Sequence, residues 1–426
     1  MYYFNYDFIL VANTVEDTYF AFNRKTKDKY FFNEDMFILL SMLHDECMED
    51  SSIDELYEAS LIEDLKGKKF IISYPTPCKC SNIRIMNKEF PLKRVFLEIS
   101  KKCNLYCQHC YANASGKEED SLSYEKICSL IDEAAELGAY TFQITGGEPF
   151  LREDINDIIR YLWKKGFLIT VYSNLTVLSE ENLKTIVECA VHVNTSLDYA
   201  DADKHDQFRG KRNAFEETIA NIKKVKSKTD NIAVNIVVNN KTDEEINKLI
   251  NFIKFDLKLN YHADVIKPIG RGKDYKLTQH DIEAYVYANY ICSTEELCHI
   301  SSGFGIQKDL VYGYNCNAGK DFIFVNCAGE CSLCPTLTLA QSQEFYFGNI
   351  LNTSLYDIWA SQKRVSFSNL NCKHIDTCPK ASQCKGSCRS KAYEVNKNVF
   401  DPDLIMCKIY DIDVDKLSLA ETAGGK

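Results

Sequence analysis

The chain has 426 residues, with 50 basic and 61 acidic side chains and a formal charge of −11. Hydrophobic residues make up 45% and charged residues 26%, the balance of a folded chain long enough for two or three domains. An acidic chain gains nothing from neutralising phosphates, which argues against nucleic acid as a partner. No apolar run approaches the roughly 20 residues that span a bilayer. The first residues lack a basic segment, so no signal peptide is expected and the location reads as cytoplasmic. The anomaly is 19 cysteines, and an odd, high number in such a chain points to metal ligation before disulfides.

Residues 1–80 read as a separate module. FILVANT (8–14) and TYFAFNRKTKDKYFF (18–32) predict two or three strands with an Asn/Lys-rich turn. DMFILLSMLHD (35–45) and SIDELYEAS (52–60) predict helices, followed by a helix or strand ending at 65–74. That order is winged-helix-like, a fold that often binds DNA, but the module holds 15 acidic and 8 basic side chains. Its charge suits a peptide better. A mere cap over the next domain is the alternative. Residues 81–93 read as a linker. Cys78 and Cys80, just ahead of it, are spare thiols or a redox pair, and Cys47 reads as a core residue.

From 94 to 270 the chain alternates between two periodicities. Strands are expected at 94–100, 141–145, 167–173, 191–197, 231–240 and 261–268. Helices are expected at 124–138, 154–166, 181–190, 215–228 and 242–255, with Thr242 as an N-cap. Six such units predict a parallel sheet with helices outside, and ligands at the carboxyl ends of the strands. Cys128 and Cys189 fall in the helical runs as packing residues. Residues 271–315 read as a bridge, with Cys292 and Cys298 packing on a helix. The polar stretch 411–426 reads as a disordered tail.

Two cysteine groups carry the chemistry. Cys103-x3-Cys107-x2-Cys110 directly follows the strand at 94–100. Three thiolates at this spacing can hold three irons of one cubane and leave the fourth iron open. A zinc site wants four ligands, and only His109 is near. Gly146-Gly147-Glu148-Pro149 follows the second strand. Its glycines allow close backbone approach and Glu148 can pair with an ammonium. Alone it is an ordinary turn; one unit after the cysteine loop it is a strong signal. The second group is Cys316-x12-Gly329-x4-Cys334, then Cys372-x5-Cys378-x5-Cys384-x3-Cys388, then Cys407, with Cys327 and Cys331 between. Two zinc ribbons are the alternative there.

Together these motifs resemble the radical S-adenosylmethionine (SAM) enzymes with a C-terminal SPASM extension. The resemblance implies a partial (β/α)6 barrel over 94–270 and a SPASM domain over 316–410. It implies three 4Fe–4S clusters and SAM. Cys103, Cys107 and Cys110 would hold the SAM-cleaving cluster. Gly146, Gly147 and Glu148 would bind the SAM amino group, and His109 would flank the adenine through its backbone. Ser173 and Asn174 would contact the ligand, Ser196 and Asp198 the ribose, and Arg209 the carboxylate. A core serine or a surface arginine is the alternative at each of these five. Cys316, Cys334 and Cys388 would hold a first auxiliary cluster, its fourth ligand being Cys331, Cys327 or an open position. Cys372, Cys378, Cys384 and Cys407 would hold a second. The spacing after Cys372 departs from the family, which has x2 where this chain has x5 because position 375 is Ile.

The N-terminal module resembles the leader-peptide recognition domain of maturases of ribosomally made peptides. The implied activity is hydrogen abstraction from a precursor peptide, made of a leader and a Cys-containing core. A thioether crosslink would follow, as in the sactisynthase and ranthipeptide-synthase types, with flavodoxin or ferredoxin as electron donor. Carbon–carbon crosslinking and formylglycine formation are the alternatives within the family. An iron–sulfur carrier or a zinc-stabilised adaptor is the alternative of another class; neither needs a SAM pocket.

Overall fold

The computed structural model describes residues 2–14, 16–45, 59–73, 82–86, 89–116, 122–291, 316–339 and 343–413. Cys47, Cys78, Cys80, Cys292, Cys298, most of the expected helix at 52–60, most of the bridge and nearly all of the tail lie outside these residues.

One nine-stranded sheet organises the chain. Six parallel strands come first: β1 (Arg94–Glu98), β2 (Thr141–Thr145), β3 (Leu168–Tyr172), β4 (His192–Ser196), β5 (Ile232–Val237) and β6 (Asn260–Asp264). They lie in sequence order. Along β1, β2, β3 and β5 buried residues alternate with partly exposed ones. Val95, Leu97, Phe142, Ile144, Ile169 and Val171 face the helices and join the main core. The intervening Phe96, Tyr172, Asn194, Ser196 and Asn235 face an open interior. That is a half-closed barrel whose inner wall is polar and aromatic, the α/β fold expected from the alternating pattern.

Helix Tyr124–Glu136 starts at Ser123, whose side chain accepts from Lys126 N–H. Helix Asp243–Asn251 starts at Thr242, which forms a capping box with Glu245, as the sequence signals. An eight-residue helix, Ala202–Arg209, follows β4 and ends on Gly210. Cys189 is buried in the core, while Cys128 is half-buried.

The C-terminal region extends this sheet. β7 (Phe322–Val325) pairs in parallel with β1, and β8 (Glu330–Ser332) and β9 (Tyr346–Asn349) add antiparallel. The N-terminal residues form a four-stranded sheet in the order Lys29–Phe32, Thr18–Asn23, Phe8–Asn13, Ile83–Ile85. The last strand lies within the expected linker and runs parallel to Phe8–Asn13.

Strand Phe8–Asn13 is buried along its whole length. Phe8, Leu10 and Ala12 pack under helices Glu34–Asp45 and Ala59–Gly67. Ile9 and Val11 pack the other way, toward Tyr140 and Leu168 at the start of β2 and β3. Three cations then bind carbonyls at the carboxyl ends of consecutive barrel helices. Arg24 Nη1 donates to Trp163 O at 2.7 Å, Arg84 to the Lys165 and Ala139 carbonyls, and Lys27 Nζ to Ala190 O at 3.0 Å. Cations there complement the helix dipole. The module therefore docks at the amino ends of the strands, opposite the end that carries the site.

Candidate functional site

The site is a cavity of about 450 Å³ at the carboxyl ends of the six strands. Cys103, Cys107 and Cys110 lie on its wall, in the loop that leaves β1. Three elements fix this loop.

The GGEP turn lies beneath it. Gly147 N–H donates to Ser100 O at 2.7 Å and Glu148 N–H to Lys102 O at 2.8 Å. A Cβ on Gly146 would collide with the Ser100 carbonyl, and one on Gly147 with the Lys102 carbonyl. The glycines are needed first for loop-on-loop packing. On a second side, Tyr106 and Gln108 donate backbone N–H groups to Arg209 O and Phe208 O, each at 3.0 Å.

The third clamp is Arg271, from the Gly-Arg-Gly turn past β6. It donates Nε to Cys107 O at 2.7 Å and Nη1 to Ala114 O at 2.9 Å. Its backbone N–H bonds Cys110 O at 3.0 Å, and its guanidinium lies 4.1 Å over the Tyr106 ring. Sequence reasoning missed Arg271; the only local hint was GRG directly after the last strand.

The thiols are set up as acceptors. Cys103 Sγ accepts from Leu105 N–H at 3.4 Å and from Asn174 Nδ2 at 3.9 Å; Cys107 Sγ accepts from Arg209 Nη1 at 3.8 Å. Burial, and then the neighbouring negative groups, push the Cys103 thiol up to about 12. Burial likewise raises Cys107 against the pull of Arg209. A metal reverses that penalty by taking the thiolate directly. Buried thiols supplied with N–H donors and a cation therefore fit an iron–sulfur cluster.

The expected SAM contacts are brought together, though some pair with one another. Glu148 is fully buried, and its carboxylate accepts from Ser173 Oγ (2.7 Å), Asn174 N–H (2.7 Å) and Phe150 N–H (3.0 Å). Burial still outweighs these bonds and pushes Glu148 up to about 7. Ser173 and Asn174 thus orient Glu148, and Asn174 also ties Asn104 into the loop at 3.1 Å. Ser196 is half-buried and lines the cavity.

Asp198 and Arg209 form a buried ion pair, with Nε and Nη2 at 2.6 and 2.5 Å from Oδ2. Burial opposes ionising Asp198, yet Arg209 above all draws it down to about 2. The two residues expected on ribose and carboxylate therefore hold each other, and Arg209 also reaches Cys107. His109 stacks on Phe208 with centroids 4.6 Å apart, and its buried Nδ1 has no hydrogen-bond partner. Burial lowers it to about 3, so the ring is neutral.

In the C-terminal region Cys316, Cys334 and Cys388 lie near one another, since Cys388 raises the other two thiols and Cys316 also raises Cys334. Cys372, Cys378, Cys384 and Cys407 form the second gathering. Burial, then Asp403 and the companion thiols, holds Cys384 up at about 11; burial, then Cys384, Asp403 and the other two, holds Cys407 up at about 12. The longer spacing after Cys372 is absorbed by a run of turns before helix Ala381–Cys384.

The structure does not bring Cys331 to the first gathering. It is fully buried in β8, with Ile350, Glu133, Lys126 and Glu330 as its surroundings. Alternation along β8 turns it to the core. Cys327 is hydrogen-bonded to Glu98. Among the described residues no three His, Cys, Asp or Glu side chains converge tightly enough to share one metal ion. Among those residues, too, no helix is long and apolar enough to cross a membrane.

Comparison with known proteins agrees with this anatomy. The Radical SAM superfamily model matches residues 97–253, and the SPASM iron–sulfur cluster-binding domain matches 316–389. The chain is 28% identical over 332 residues to the subtilosin biosynthesis protein AlbA of Bacillus subtilis, covering 73% of this chain and 70% of AlbA. It is also 28% identical over 324 residues to an AdoMet-dependent heme synthase of Methanosarcina barkeri, covering 70% and 90%. The solved structure of Streptococcus suis SuiB bound to precursor peptide SuiA superposes with a TM-score of 0.67 at 14% identity, covering 95% of this chain and 100% of that one. The chain is a radical SAM protein with a C-terminal SPASM domain.

Proposed function

We propose that this chain is a peptide maturase. It takes a hydrogen atom from a precursor peptide and joins a cysteine sulfur to the resulting carbon in a thioether. The observation that carries the peptide reading is the reach of the likeness to peptide-bound SuiB. It spans 95% of this chain, so it takes in the N-terminal module.

The module has a surface for such a partner. Strand Lys29–Phe32 is an edge, with Phe31 67% exposed. Ile38 and Met42, one turn apart on helix Glu34–Asp45, are 48% and 51% exposed. Such an edge strand is suited to strand addition by a leader. The core of the peptide would enter the cavity at the other end of the barrel.

SAM and a cluster on Cys103, Cys107 and Cys110 supply the hydrogen-abstracting radical when bound. The chain's own residues position. Glu148 offers a carboxylate for the SAM ammonium. Asp198 and Arg209 form the cavity wall beside Cys107, with Ser196 at the end of β4, and neutral His109 shields the adenine side. Forming C–S from C–H and S–H removes two hydrogen atoms. SAM chemistry accounts for one; the other leaves as a proton and an electron. A cluster on Cys316, Cys334 and Cys388, which we propose beside a second on the four later cysteines, would accept that electron. Pro335 and Thr336, next to Cys334, line the cavity. A small flavoprotein or ferredoxin would reduce the first cluster.

The test is anaerobic incubation of the reconstituted chain with SAM, a reductant and a Cys-containing precursor peptide. The expected outcome is 5′-deoxyadenosine and a peptide lighter by two hydrogens, with one cysteine resistant to alkylation. Deoxyadenosine with the mass loss but a freely alkylated cysteine would replace the thioether with a carbon–carbon bond.

A further inference from the structure

A second group of charges lies where β6 meets helix Arg389–Asn396, its lysines largely buried and its Asp264 side chain 42% exposed. Lys267 Nζ is 3.3 Å and Lys391 Nζ 4.0 Å from Asp264 Oδ1, which also accepts from Val265 N–H at 2.8 Å. The Lys391 and Lys267 side chains are 10% and 19% exposed. Two further acids act on Lys391: Asp403, and Glu394, which burial holds up at about 7 against the pull of both lysines and whose Oε1 has no partner. Two ammonium groups thus share the Asp264 carboxylate.

The ammonium groups face a particular set of sulfurs. Cys388 is the N-cap of the same helix and Lys391 lies in its first turn. Ser390 Oγ is 3.1 Å from Cys388 Sγ. The Arg389 backbone N–H reaches the Cys316 sulfur. The three-cysteine gathering therefore sees a helix amino end, a hydroxyl and two buried ammonium groups. Asp403 lies between the two gatherings: its Oδ2 accepts from Cys388 N–H at 3.2 Å, and it acts on both Cys384 and Cys407.

Reduction adds negative charge to a cluster. A fixed cation in a poorly screened place stabilises the reduced form more than the oxidised one, and a carboxylate does the reverse. We infer that Lys267 and Lys391 are positioning residues for electron transfer: they raise the reduction potential of the cluster on Cys316, Cys334 and Cys388 and leave that of the cluster on Cys372, Cys378, Cys384 and Cys407 in place. The inference rests on the cluster assignment proposed above. It makes the site beside the cavity a better acceptor of the electron released when the thioether forms. Lys267 itself lines the cavity, so the charge is shared between cluster and substrate space.

The test uses the full chain carrying Cys103→Ala, Cys107→Ala and Cys110→Ala, so that only the auxiliary clusters load. Iron and labile sulfide are measured, and the two clusters are titrated potentiometrically by electron paramagnetic resonance. Lys391→Met and Lys267→Met should each move one cluster to a more negative potential and leave the other in place. Lys391→Arg should keep the parent value. Unchanged potentials, or an equal movement of both clusters, would overturn the inference. Should Lys391→Met fail to load, Lys267→Met decides. Loss of iron from both methionine variants also counts against it, because a tuning charge is dispensable for ligation. A parent with only about four irons here would instead refute the cluster assignment.

Discussion

At the scale of single residues, the site is defined by groups whose burial and partners pull in opposite directions. Glu148 is held up at about 7 by burial although three donors favour its ionised form. An ammonium needs the ionised carboxylate, so SAM affinity should fall as pH drops below about 7, by at most tenfold per unit. Glu148→Gln should weaken binding and erase that dependence, measured by calorimetry on the reconstituted chain. For the ligand-free chain the sign is the reverse. The neutral form's stability is full below the ordinary value of 4.5 and is lost as pH rises through about 7.

Arg209 gives a second check at this scale. Removing it leaves the fully buried Asp198 without its counter-charge. Arg209→Met should therefore destabilise the chain by about 3–5 kcal/mol in denaturant unfolding without SAM. A residue serving only the SAM carboxylate would leave ligand-free stability unchanged. The sequence could place Asp198 and Arg209 near the site, because both sit in motif-like positions after β4. It could not pair them, because the helix Ala202–Arg209 that turns one back onto the other was not read from its polar run.

At the scale of elements, local pattern and non-local contact divide what could be read. The six strands and five helices were legible to within a few residues, because each has its own periodicity. The strand Ile83–Ile85 and the pairing of β7 with β1 were not, since a run of three or four residues becomes a strand only beside a partner supplied by the fold. Cys331 shows the same limit: spacing sets it near Cys334, but the pleat of β8 turns it to the core. The loop clamps were also out of reach, being contacts between turns far apart in sequence, such as Arg271 with Cys107 and Ala114, 164 and 157 positions away. Gly270 tests that clamp. It has φ +59°, and a Cβ would collide with the Cys110 and Tyr111 carbonyl oxygens. Gly270→Ala should displace the cysteine loop, cost more than about 1 kcal/mol, and lower the iron content by about four per chain. A variant with full iron and parent stability would show that the loop does not depend on this turn.

At the scale of the whole molecule, two ends of one barrel are given different tasks. Arg24, Lys27 and Arg84 fasten the acidic N-terminal module to the carboxyl ends of three barrel helices, while the cysteine loop, the cavity and the C-terminal cysteines occupy the other end. A peptide held by the module must pass along the barrel to reach the cavity, which suits a leader separated from its modified core. The whole scheme depends on the thiols being cluster ligands in three sets. The most direct measurement is iron and acid-labile sulfide after anaerobic reconstitution of the parent and three variants. The parent should hold roughly 12 irons. Cys103→Ala/Cys107→Ala/Cys110→Ala and Cys372→Ala/Cys378→Ala should each lose about four, and Cys331→Ser should lose none. Zinc in place of iron, or no loss in the first variant, would contradict the account.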